Sequence, residues 1–565
     1  MGHFSKHVGT RNRNPVKTPQ TQPIPGLEAK MVQNEAGGYA FKADQWIRLE
    51  RFLIIGSESG TYYVKEKELT KQNFDNLLIT IGEDGKRVVD MIVDISDRGR
   101  AAKNDYAIFA LAMCCTSHAS PETQKYAWAS LNKVCRIGTH LFMFNYILDQ
   151  HRGWAPARRR AIKNWYESRD AHQAALQIVK YQGRAVSEGD KASRYTHCDL
   201  IRLAHPFSED KYHNALYDYA THAWARKGED DKSKLISEET RNLIQTSKEL
   251  CLVLGHEKAQ EAKTAKEIIA IIDEYNIPRE SIPTQFQNDK DVWKALLPSM
   301  PLTGLLRTLG RATSYGVFVP LSEELNLVVS KLTDAEYIKK SRMHPLQVLV
   351  ALKQYASGSG DKGSLTWKPV QAIIDALDKA FYLSFGSVEP TGKKMMLCID
   401  VSGSMGANGV AGLKNFTCSE ATALMALATA KVEKPSDYMI MGFATDFRDL
   451  GISPSMRLDA AQQAVQNSAF GGTDPTVPIN YALNNKLFVD CFVIYSDGQG
   501  WAGLSHVTQA LAEYRAKVNK NAKMININMT ANGTRIGLED DSLVLDIAGF
   551  DSNTPQLISS FVGIA

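Results

Sequence analysis

The chain has 565 residues and is 44% hydrophobic, which is long and apolar enough for more than one globular domain. No apolar run approaches the ~18 residues that a membrane helix needs, and the N-terminus lacks the apolar core of a secretory signal. The eight cysteines form no Cys-x-x-Cys pair, so we expect reduced thiols in a cytoplasmic protein, without a zinc site or disulfides.

The net charge of +4 is unevenly distributed along the chain. Between Arg152 and Arg202, eleven basic residues stand against five acidic ones, so this segment carries +6 and the remainder −2. Such a cluster suits phosphate contacts, because arginine binds phosphate in a bidentate manner and lysine acts as a point charge. The simpler alternative is a solvated helix face, since charge runs on helices usually have that role.

A helix that begins near Arg158 separates basic from apolar side chains. Its basic face carries Arg159, Arg160 and Lys163, and its apolar face carries Ile162, Trp165 and Tyr166. His197 follows near the start of another helix. Aromatic residues in such a region can stack unpaired bases, but Trp165 and Tyr166 fit a hydrophobic core better. A lone histidine is likewise more often a capping or packing residue than a ligand.

We divide the chain into three parts. Residues 1–24 are basic and contain no acid, which predicts a disordered arm. Residues 25–388 are mostly helical with short turns, which predicts an α-solenoid of antiparallel helix pairs, although no fixed repeat period is visible. The clearest amphipathic stretches are Asp105–Cys115, Pro121–Ile137, Ala161–Lys180, Ser237–Leu254, Ala265–Tyr275 and Pro369–Phe381.

Residues 389–565 alternate buried strands with helices, which predicts a doubly wound α/β domain. The strand candidates are Met395–Ile399, Tyr438–Phe443, Cys491–Tyr495, Met524–Met529 and Leu543–Ile547, and the helices between them include Cys418–Val432 and Leu458–Ser468.

Five oxygen-bearing side chains stand at three places where this domain's strands end or turn. They are Asp400, Ser402 and Ser404 after the first strand, Thr473 in a Gly-Gly-Thr-Asp turn, and Asp497 after the strand from Cys491. An open α/β sheet gathers its ligands at strand ends beside a topological switch point. Hydroxyls and carboxylates suit a hard divalent cation, so the sequence predicts a divalent metal site, with Mg²⁺ as the first choice.

This arrangement resembles the metal-ion-dependent adhesion site of von Willebrand factor A (vWA) domains. In that family the two serines and the threonine bind the ion directly, whereas the two aspartates act mainly through water. A partner's carboxylate often completes the shell. The resemblance implies a site that holds a ligand and does not activate a water.

Longer motifs resemble the Ro 60 kDa autoantigen family, which occurs in animals and in some bacteria and their viruses. They are Arg48–Tyr63, Val134–Phe142, Trp293–Gly310 and Val388–Lys393, and the resemblance runs from about residue 39 to the C-terminus. It implies a TROVE module, a closed ring of HEAT-like helical repeats with a basic central hole, which a vWA-like domain closes.

The resemblance also implies RNA partners for a protein that we expect to be monomeric. Family members bind Y RNA on an outer basic surface and accept single-stranded 3′ ends of misfolded RNA through the hole. Some bacterial relatives tether polynucleotide phosphorylase through a Y RNA. The positions that match the family's RNA-contacting motifs are Arg159, Arg160, Lys180, Arg184 and His197, and Lys163 lies on the same basic face.

Two departures from the family pattern bear on the site. The segment from Gln182 to Thr196 is longer than in the animal proteins, which reshapes the outer RNA surface. In the metal motif, Ser496-Asp-Gly-Gln499 replaces the common Thr-Asp-Asn-Glu run. Asp497 is retained, so we expect the ion to bind, while the rim near Gln499 selects a different partner or none.

Three classes of function are consistent with these features. A noncatalytic RNA-binding protein of a ribonucleoprotein, acting in RNA quality control or delivery to an exoribonuclease, explains both the basic segment and the family motifs. A metal-dependent protein–protein adhesion scaffold explains the metal motif but has no need of the basic segment. An enzyme is disfavoured, because the sequence shows no paired carboxylates with a histidine, no P-loop and no nucleophile signature.

Overall fold

The computed structural model describes residues 17–57, 66–181, 195–222, 236–360, 364–386, 389–407, 409–410, 413–466 and 471–563. Three predictions lie outside the described residues: the RNA contact of Arg184, most of the segment 182–196, and residues 1–16 of the expected arm.

The N-terminal two thirds of the chain is a series of α-helices. They are α1 Gln45–Ile55, α2 Glu66–Arg98, α3 Asp105–Cys114, α4 Pro121–Ala129, α5 Leu131–Val134, α6 Gly138–His151, α7 Pro156–Glu167, α8 Ala171–Lys180, α9 His197–Ala204, α10 Lys211–His222, α11 Glu238–Thr246, α12 Cys251–Glu261, α13 Ala265–Tyr275, α14 Lys290–Leu296, α15 Leu302–Ser314, α16 Glu323–Thr333, α17 Ala335–Lys340, α18 Pro345–Ser357 and α19 Gln371–Leu383. Polar caps set several helix starts; Asp44, for example, accepts hydrogen bonds from Trp46 N and Ile47 N of α1. The buried apolar residues form one core that extends from Leu49 in α1 to Phe385 after α19.

The two ends of this helical series are in contact, so the helices form a closed ring. At the end of α2, the Asp97 carboxylate pairs with Arg342 (Oδ1–Nη2, 2.8 Å). Beyond it, the Ala102 carbonyl accepts a hydrogen bond of 3.0 Å from the Gln347 side chain in α18, which lies 245 residues away in sequence. The closed helical ring is therefore confirmed.

Three of the predicted amphipathic stretches are each divided in the structure, and one of them, 237–254, contains α11 and the first turn of α12. The stretch 121–137 contains α4 and α5, which meet at Ser130. The stretch 161–180 contains parts of α7 and α8, and Asp170 starts α8 by accepting a hydrogen bond from Gln173 N at 2.7 Å. Both halves of each stretch bury the same kind of apolar face, so helical periodicity alone does not reveal the break.

The C-terminal third is an α/β domain whose main sheet has six strands in the order β11-β9-β8-β3-β6-β7. The strands of the chain are β1 Met31–Gln33, β2 Tyr39–Lys42, β3 Met395–Asp400, β4 Gly409–Val410, β5 Leu413–Thr417, β6 Tyr438–Phe443, β7 Phe447–Asp449, β8 Cys491–Ser496, β9 Lys523–Asn528, β10 Thr534–Arg535 and β11 Val544–Ala548. The helices of this domain are α20 Gly403–Ala407, α21 Cys418–Val432, α22 Leu458–Gln466, α23 Val477–Asn484, α24 Val507–Lys517 and α25 Thr554–Gly563. All five predicted strands are present, and the edge strand β7 is an antiparallel addition.

Alternate residues of the central strand β3 face opposite sides of this sheet. Leu397 and Ile399 belong to the core that contains most of α21, whereas Met396 and Cys398 pack with residues of α23 and α24. Helices therefore cover both faces, and the doubly wound α/β architecture is confirmed.

The segment before α1 differs from the expected disordered arm. Residues 17–24 lie along the α/β domain: Gln20 N donates to the Gly503 carbonyl at 2.9 Å, and Thr18 N donates to Gln509 Oε1 at 3.1 Å. β1 and β2 then form a hairpin that pairs with β10, so the start of the chain joins a small sheet with the C-terminal domain. The prediction of disorder is wrong for residues 17–24. Hydrogen bonds to the α/β domain hold this segment in place, although its sequence has no apolar periodicity.

All eight cysteines are free, and six of them are buried. Among the residues that the structure describes, every helix is either too short or too polar to cross a lipid bilayer.

Candidate functional site

The predicted metal ligands of the first and last motifs meet at one edge of the main sheet. β3 ends at Asp400 and its parallel neighbour β8 ends at Ser496, so Asp400 and Asp497 emerge side by side. The Ser496 hydroxyl donates a hydrogen bond of 2.7 Å to Asp400 Oδ2. Both aspartates are completely buried.

The loop after β3 folds its serines back toward these carboxylates. Ser402 N donates to Asp400 Oδ1 at 2.9 Å. The Ser402 and Ser404 hydroxyl oxygens lie 3.2 Å apart, and both side chains are buried. Two hydroxyls and a carboxylate thus come within a few ångströms of one another through a turn of only five residues, which is the spacing that Asp-x-Ser-x-Ser supplies.

Thr473 reaches the same edge through the loop that precedes α23. Asp474 N donates to the Ala444 carbonyl at 2.9 Å, which ties this loop to the end of β6. The Thr473 carbonyl accepts hydrogen bonds from Trp501 N and Ala502 N, both at 3.0 Å. The Thr473 loop is therefore attached to the loop after β8, and Thr473 is itself buried.

The electrostatics of this cluster favour a cation. Burial and the neighbouring charge of Asp400 raise the pKa of Asp497 to about 7, against the opposing effect of Ser404. One carboxylate oxygen, Asp497 Oδ2, has no hydrogen-bond partner among the described residues. A buried acceptor without a donor is costly, and a divalent cation would satisfy it. The oxygen-only donor set thus fits the metal that the motif predicts.

The rim of the cluster is covered by the chain's own N-terminal hairpin. Gln499, which is fully buried, donates from its side-chain amide to the Glu35 carboxylate in the turn between β1 and β2. Its side-chain oxygen accepts a hydrogen bond from Ala36 N at 3.2 Å. The sequence pattern predicts Gln499 at the rim, but it contains no signal for the contact with residues 35 and 36.

The basic side chains of α7 and α8 are placed as predicted on the outside of the helices. Arg159 and Arg160 are exposed, and the half-buried Lys163 lies 3.7 Å from Glu167 on the same helix. Lys180, at the end of α8, is half-buried with its ammonium 5.5 Å from the Tyr181 ring centroid. The neighbouring Arg158 is different in kind, because it is buried and pairs with Asp149 at 2.8 Å.

His197 lies in the core and not on the surface. Its side chain is completely buried between Phe142 and Trp165, and its Nδ1 lies 2.7 Å from the Tyr166 hydroxyl. Burial lowers its pKa to about 3, so the ring is neutral near pH 7. The structure therefore differs from the predicted RNA contact: the apolar face of α7, which carries Trp165 and Tyr166, packs on His197 and excludes it from the surface.

A row of cavities on the ring brings together basic residues that sequence analysis missed. One of about 140 Å³ is lined by Lys180 and Arg279, and a second of about 440 Å³ is lined by Arg279, Arg307 and Arg311. A third of about 260 Å³ is lined by Arg307 and Lys103. Each cavity shares lining residues with the next, so the three are neighbours. The available signal was the i, i+4 spacing of Arg307 and Arg311 on α15, which places both on one helix face.

Aromatic residues line the middle cavity beside its arginines. Trp367 and Tyr355 are stacked with ring centroids 6.1 Å apart and planes inclined by 23°. The Trp367 ring also fills the space over Gly310, where an added Cβ would lie 2.6 Å from it. The cavity thus combines guanidinium groups with flat apolar surface.

Comparisons with known proteins agree with both halves of this architecture. The model of the TROVE domain matches residues 32–354, and the model of the Ro60 vWA domain matches residues 394–562. The chain is 35% identical to the RNA-binding protein RO60 of Deinococcus radiodurans over 549 residues, which cover 97% of this chain and 98% of that protein. It is 32% identical to the RNA-binding protein RO60 of Caenorhabditis elegans, with 94% and 90% of the two chains covered.

A crystal structure of the Deinococcus radiodurans Ro (RSR) protein is similar with a TM-score of 0.66 at 35% identity, over 92% of this chain and 99% of that one. The helical ring and the C-terminal α/β domain with its metal motif together define a TROVE-domain protein with a C-terminal vWA domain. The chain belongs to the Ro60 family.

Proposed function

We propose that this protein is a noncatalytic RNA-binding component of a ribonucleoprotein, with one RNA site on the outside of the ring and another in its basic cavities. The observation that carries the proposal is the row of three neighbouring cavities lined by Lys180, Arg279, Arg307, Arg311 and Lys103. Its relatives in a bacterium and a nematode are named RNA-binding proteins, which supports the same class of ligand.

The outer site binds a structured RNA of the Y RNA type through its phosphates. Arg159 and Arg160 project from α7 into solvent, and Lys163 extends the same face. Lys180 lies at the end of the next helix and also lines the first of the cavities, so it stands between the two proposed sites. Arg184 is included as a contact from its sequence match alone. Arginine and lysine contacts to phosphate fix the position of an RNA but read little of its sequence, so this site selects shape.

His197 supports this outer site as a positioning residue. It joins α9 to α7 through the Tyr166 hydroxyl, and α7 carries the basic face. A Cβ added to Gly138, at the start of α6, would lie 2.7 Å from His197 Nε2. Helices α6, α7 and α9 therefore meet at the His197 imidazole. Replacement of His197 is therefore expected to disturb RNA binding by shifting α7.

The inner site binds a single-stranded 3′ end. Arg307 and Arg311 contact phosphates, while the flat surface of Trp367 and the guanidinium planes offer stacking to unpaired bases. A duplex is wider than a single strand, so a free unpaired end is the part of a misfolded RNA that fits. Occupation of the outer site by Y RNA then controls which RNAs reach the inner one, for RNA quality control or for delivery to an exoribonuclease such as polynucleotide phosphorylase.

The vWA domain holds a divalent cation, with Mg²⁺ preferred, through Asp400, Ser402, Ser404, Thr473 and Asp497. When bound, the cation supplies a positive centre that attracts a carboxylate ligand. Two buried aspartates would offset its charge, and the hydroxyl oxygens would coordinate it. This centre serves ligand binding and conformational order, and RNA is bound elsewhere on the molecule.

Crosslinking and sequencing of RNA that copurifies with the protein from its native cell tests the proposal. A dominant small structured RNA crosslinked to α7 and α8, together with RNA 3′ ends crosslinked near Arg307 and Arg311, is expected. RNA no richer than background from intact protein would overturn the proposal in favour of a metal-dependent protein–protein adhesion scaffold.

Variants separate the two RNA sites. Arg159→Ala with Arg160→Ala should weaken binding of the structured RNA and leave binding of a single-stranded oligonucleotide unchanged. Arg307→Ala with Arg311→Ala should have the opposite effect. Lys339→Ala with Lys340→Ala removes an exposed basic pair from α17 and serves as the charge-matched control for both.

A further inference from the structure

The hairpin formed by β1 and β2 is fitted closely onto the rim of the metal-motif cluster. The Asn34 side-chain amide donates to the Gly500 carbonyl at 2.9 Å, and Asn34 is itself buried. Gly38, on the other side of the turn, faces the same loop so closely that an added Cβ would lie 2.0 Å from the Gly500 oxygen. The turn between them, which carries Glu35, is therefore held in one position above the cluster.

Gln499 connects the turn with the cluster. Its backbone N–H donates to Asp497 Oδ1 at 3.1 Å, and its side-chain amide donates to the Glu35 carboxylate. One residue thus binds a carboxylate of the cluster with its main chain and a carboxylate of the hairpin with its side chain.

The environment of Glu35 leaves it available to a cation. The side chain is exposed at the rim and accepts no backbone hydrogen bond that the structure records, and no ion pair joins it to a basic residue within the described part of the chain. Arg48 is near enough to interact with it electrostatically, without forming such a pair. The Glu35 carboxylate therefore lies at the rim of a cluster whose buried Asp497 Oδ2 has no donor among the described residues.

We propose that Glu35 supplies, from within the same chain, the carboxylate that completes the shell of the cation held by Asp400, Ser402, Ser404, Thr473 and Asp497. The inference rests on the proposed metal site. In this arrangement, the protein's own N-terminal hairpin takes the place of an external acidic partner. Gln499 makes this possible, because its neutral amide attracts the Glu35 carboxylate where an acidic residue would repel it.

Two consequences follow for the molecule. Loading with the cation fastens the hairpin to the vWA domain, so the turn at residues 34–38 becomes more ordered when metal is present. An external carboxylate ligand has to displace Glu35 before it reaches the cation, so the vWA domain of the loaded protein is closed to acidic partners.

The test uses MgCl₂ with the full-length protein and two readouts, isothermal titration and amide hydrogen exchange of residues 31–42. Wild type is expected to bind Mg²⁺ and to show slower exchange at residues 34–38 on binding. Glu35→Gln should weaken Mg²⁺ binding by about tenfold or more and remove the protection. Glu28→Gln, an exposed acid in the same segment, should retain both, and Ser402→Ala with Thr473→Ala should lose both.

Two results would overturn the inference, and they differ in what they say of the metal site. Equal Mg²⁺ affinity and equal protection in Glu35→Gln and wild type would remove Glu35 from the shell while leaving the metal site intact. Absence of Mg²⁺ binding by folded wild-type protein at millimolar MgCl₂ would remove both the metal site and its intrachain ligand.

Discussion

Arg100 and Asp551 form an ion pair (Nη2–Oδ2, 2.7 Å) at the point where the helical ring meets the vWA domain. Asp551 is fully buried, and only 11% of the Arg100 side chain is exposed. Burial lowers the pKa of Arg100, but the carboxylates of Asp551 and Glu50 outweigh that effect and raise it, so the guanidinium stays charged. The pair links the loop that follows α2 with the loop before α25.

Removal of one partner of this pair is expected to destabilise the whole protein. Asp551→Ala removes the most deeply buried of the three carboxylates that pair with Arg100 and leaves Glu50 and Asp94 in place, so the loss of these charge-assisted hydrogen bonds should cost about 1.5–3 kcal/mol. Chemical denaturation measures the loss. The control is Asp375→Ala, which breaks an exposed pair with Arg457 between the same two domains and should cost about 1 kcal/mol or less. Equal losses in the two variants would show that burial of the Arg100 pair contributes nothing.

His344 predicts a loss of stability in acid. Its Nε2–H donates to the carbonyls of Arg100 at 3.1 Å and Phe550 at 3.0 Å, while its Nδ1 accepts from Leu346 N. Burial lowers its pKa to about 4, below the value of about 6.5 in an unfolded chain. The unfolded state then binds more protons, so the free energy of unfolding falls from about pH 6.5 to pH 4, by at most ~1.4 kcal/mol per pH unit.

The measurement is the free energy of unfolding between pH 7 and pH 4.5 for wild type and His344→Asn. Asparagine keeps an acceptor at the helix start but cannot titrate, so this variant should be less stable at pH 7 and should lose less stability in acid. His118→Asn changes an exposed histidine and should retain the wild-type slope. A wild-type slope in His344→Asn would contradict the assignment, because the other buried histidines remain in both proteins.

Metal and RNA binding are expected to be independent. Mg²⁺ should raise the midpoint of thermal unfolding of wild type, because a ligand that binds only the folded state stabilises it. Ser402→Ala with Thr473→Ala should abolish this increase and leave RNA affinity unchanged, since both positions lie on the vWA domain. Loss of RNA binding by this variant, in a folded state confirmed by circular dichroism, would show that the two sites are coupled.

The outer basic face is expected to give a salt-dependent RNA affinity. Arg159→Ala with Arg160→Ala should weaken binding across different RNA sequences and reduce the slope of log K against log salt concentration by about 1 per lost contact. Filter binding at several KCl concentrations measures the slope. An unchanged slope with weaker binding would exclude direct phosphate contacts by these arginines and would favour an indirect effect on α7.

The sequence predicted the vWA sheet well, because its strands are short apolar runs that end in polar residues, as Met395–Asp400 and Cys491–Ser496 do. It predicted helix boundaries less well. Asp170 separates α7 from α8, but the helical spacing of apolar residues continues across it, so the break was not visible. The burial of His197 was not visible because the three aromatic residues around it come from two other helices, α6 and α7. The contact of Glu35 with Gln499 joins residues 464 positions apart, which no local pattern encodes.

The closed ring would impose a condition on the topology of the RNA that is proposed to enter it, as well as on the chemistry of that RNA. Contacts from Arg342 to Asp97 and from Gln347 to Ala102 hold the beginning and the end of the helical series together. If the proposed inner site takes RNA through this ring, a linear RNA is expected to thread by its terminus, whereas a covalently circular RNA of identical sequence is expected to be excluded by topology. The proposed site would then distinguish molecules that have ends from molecules that have none, in addition to any base contacts that it makes.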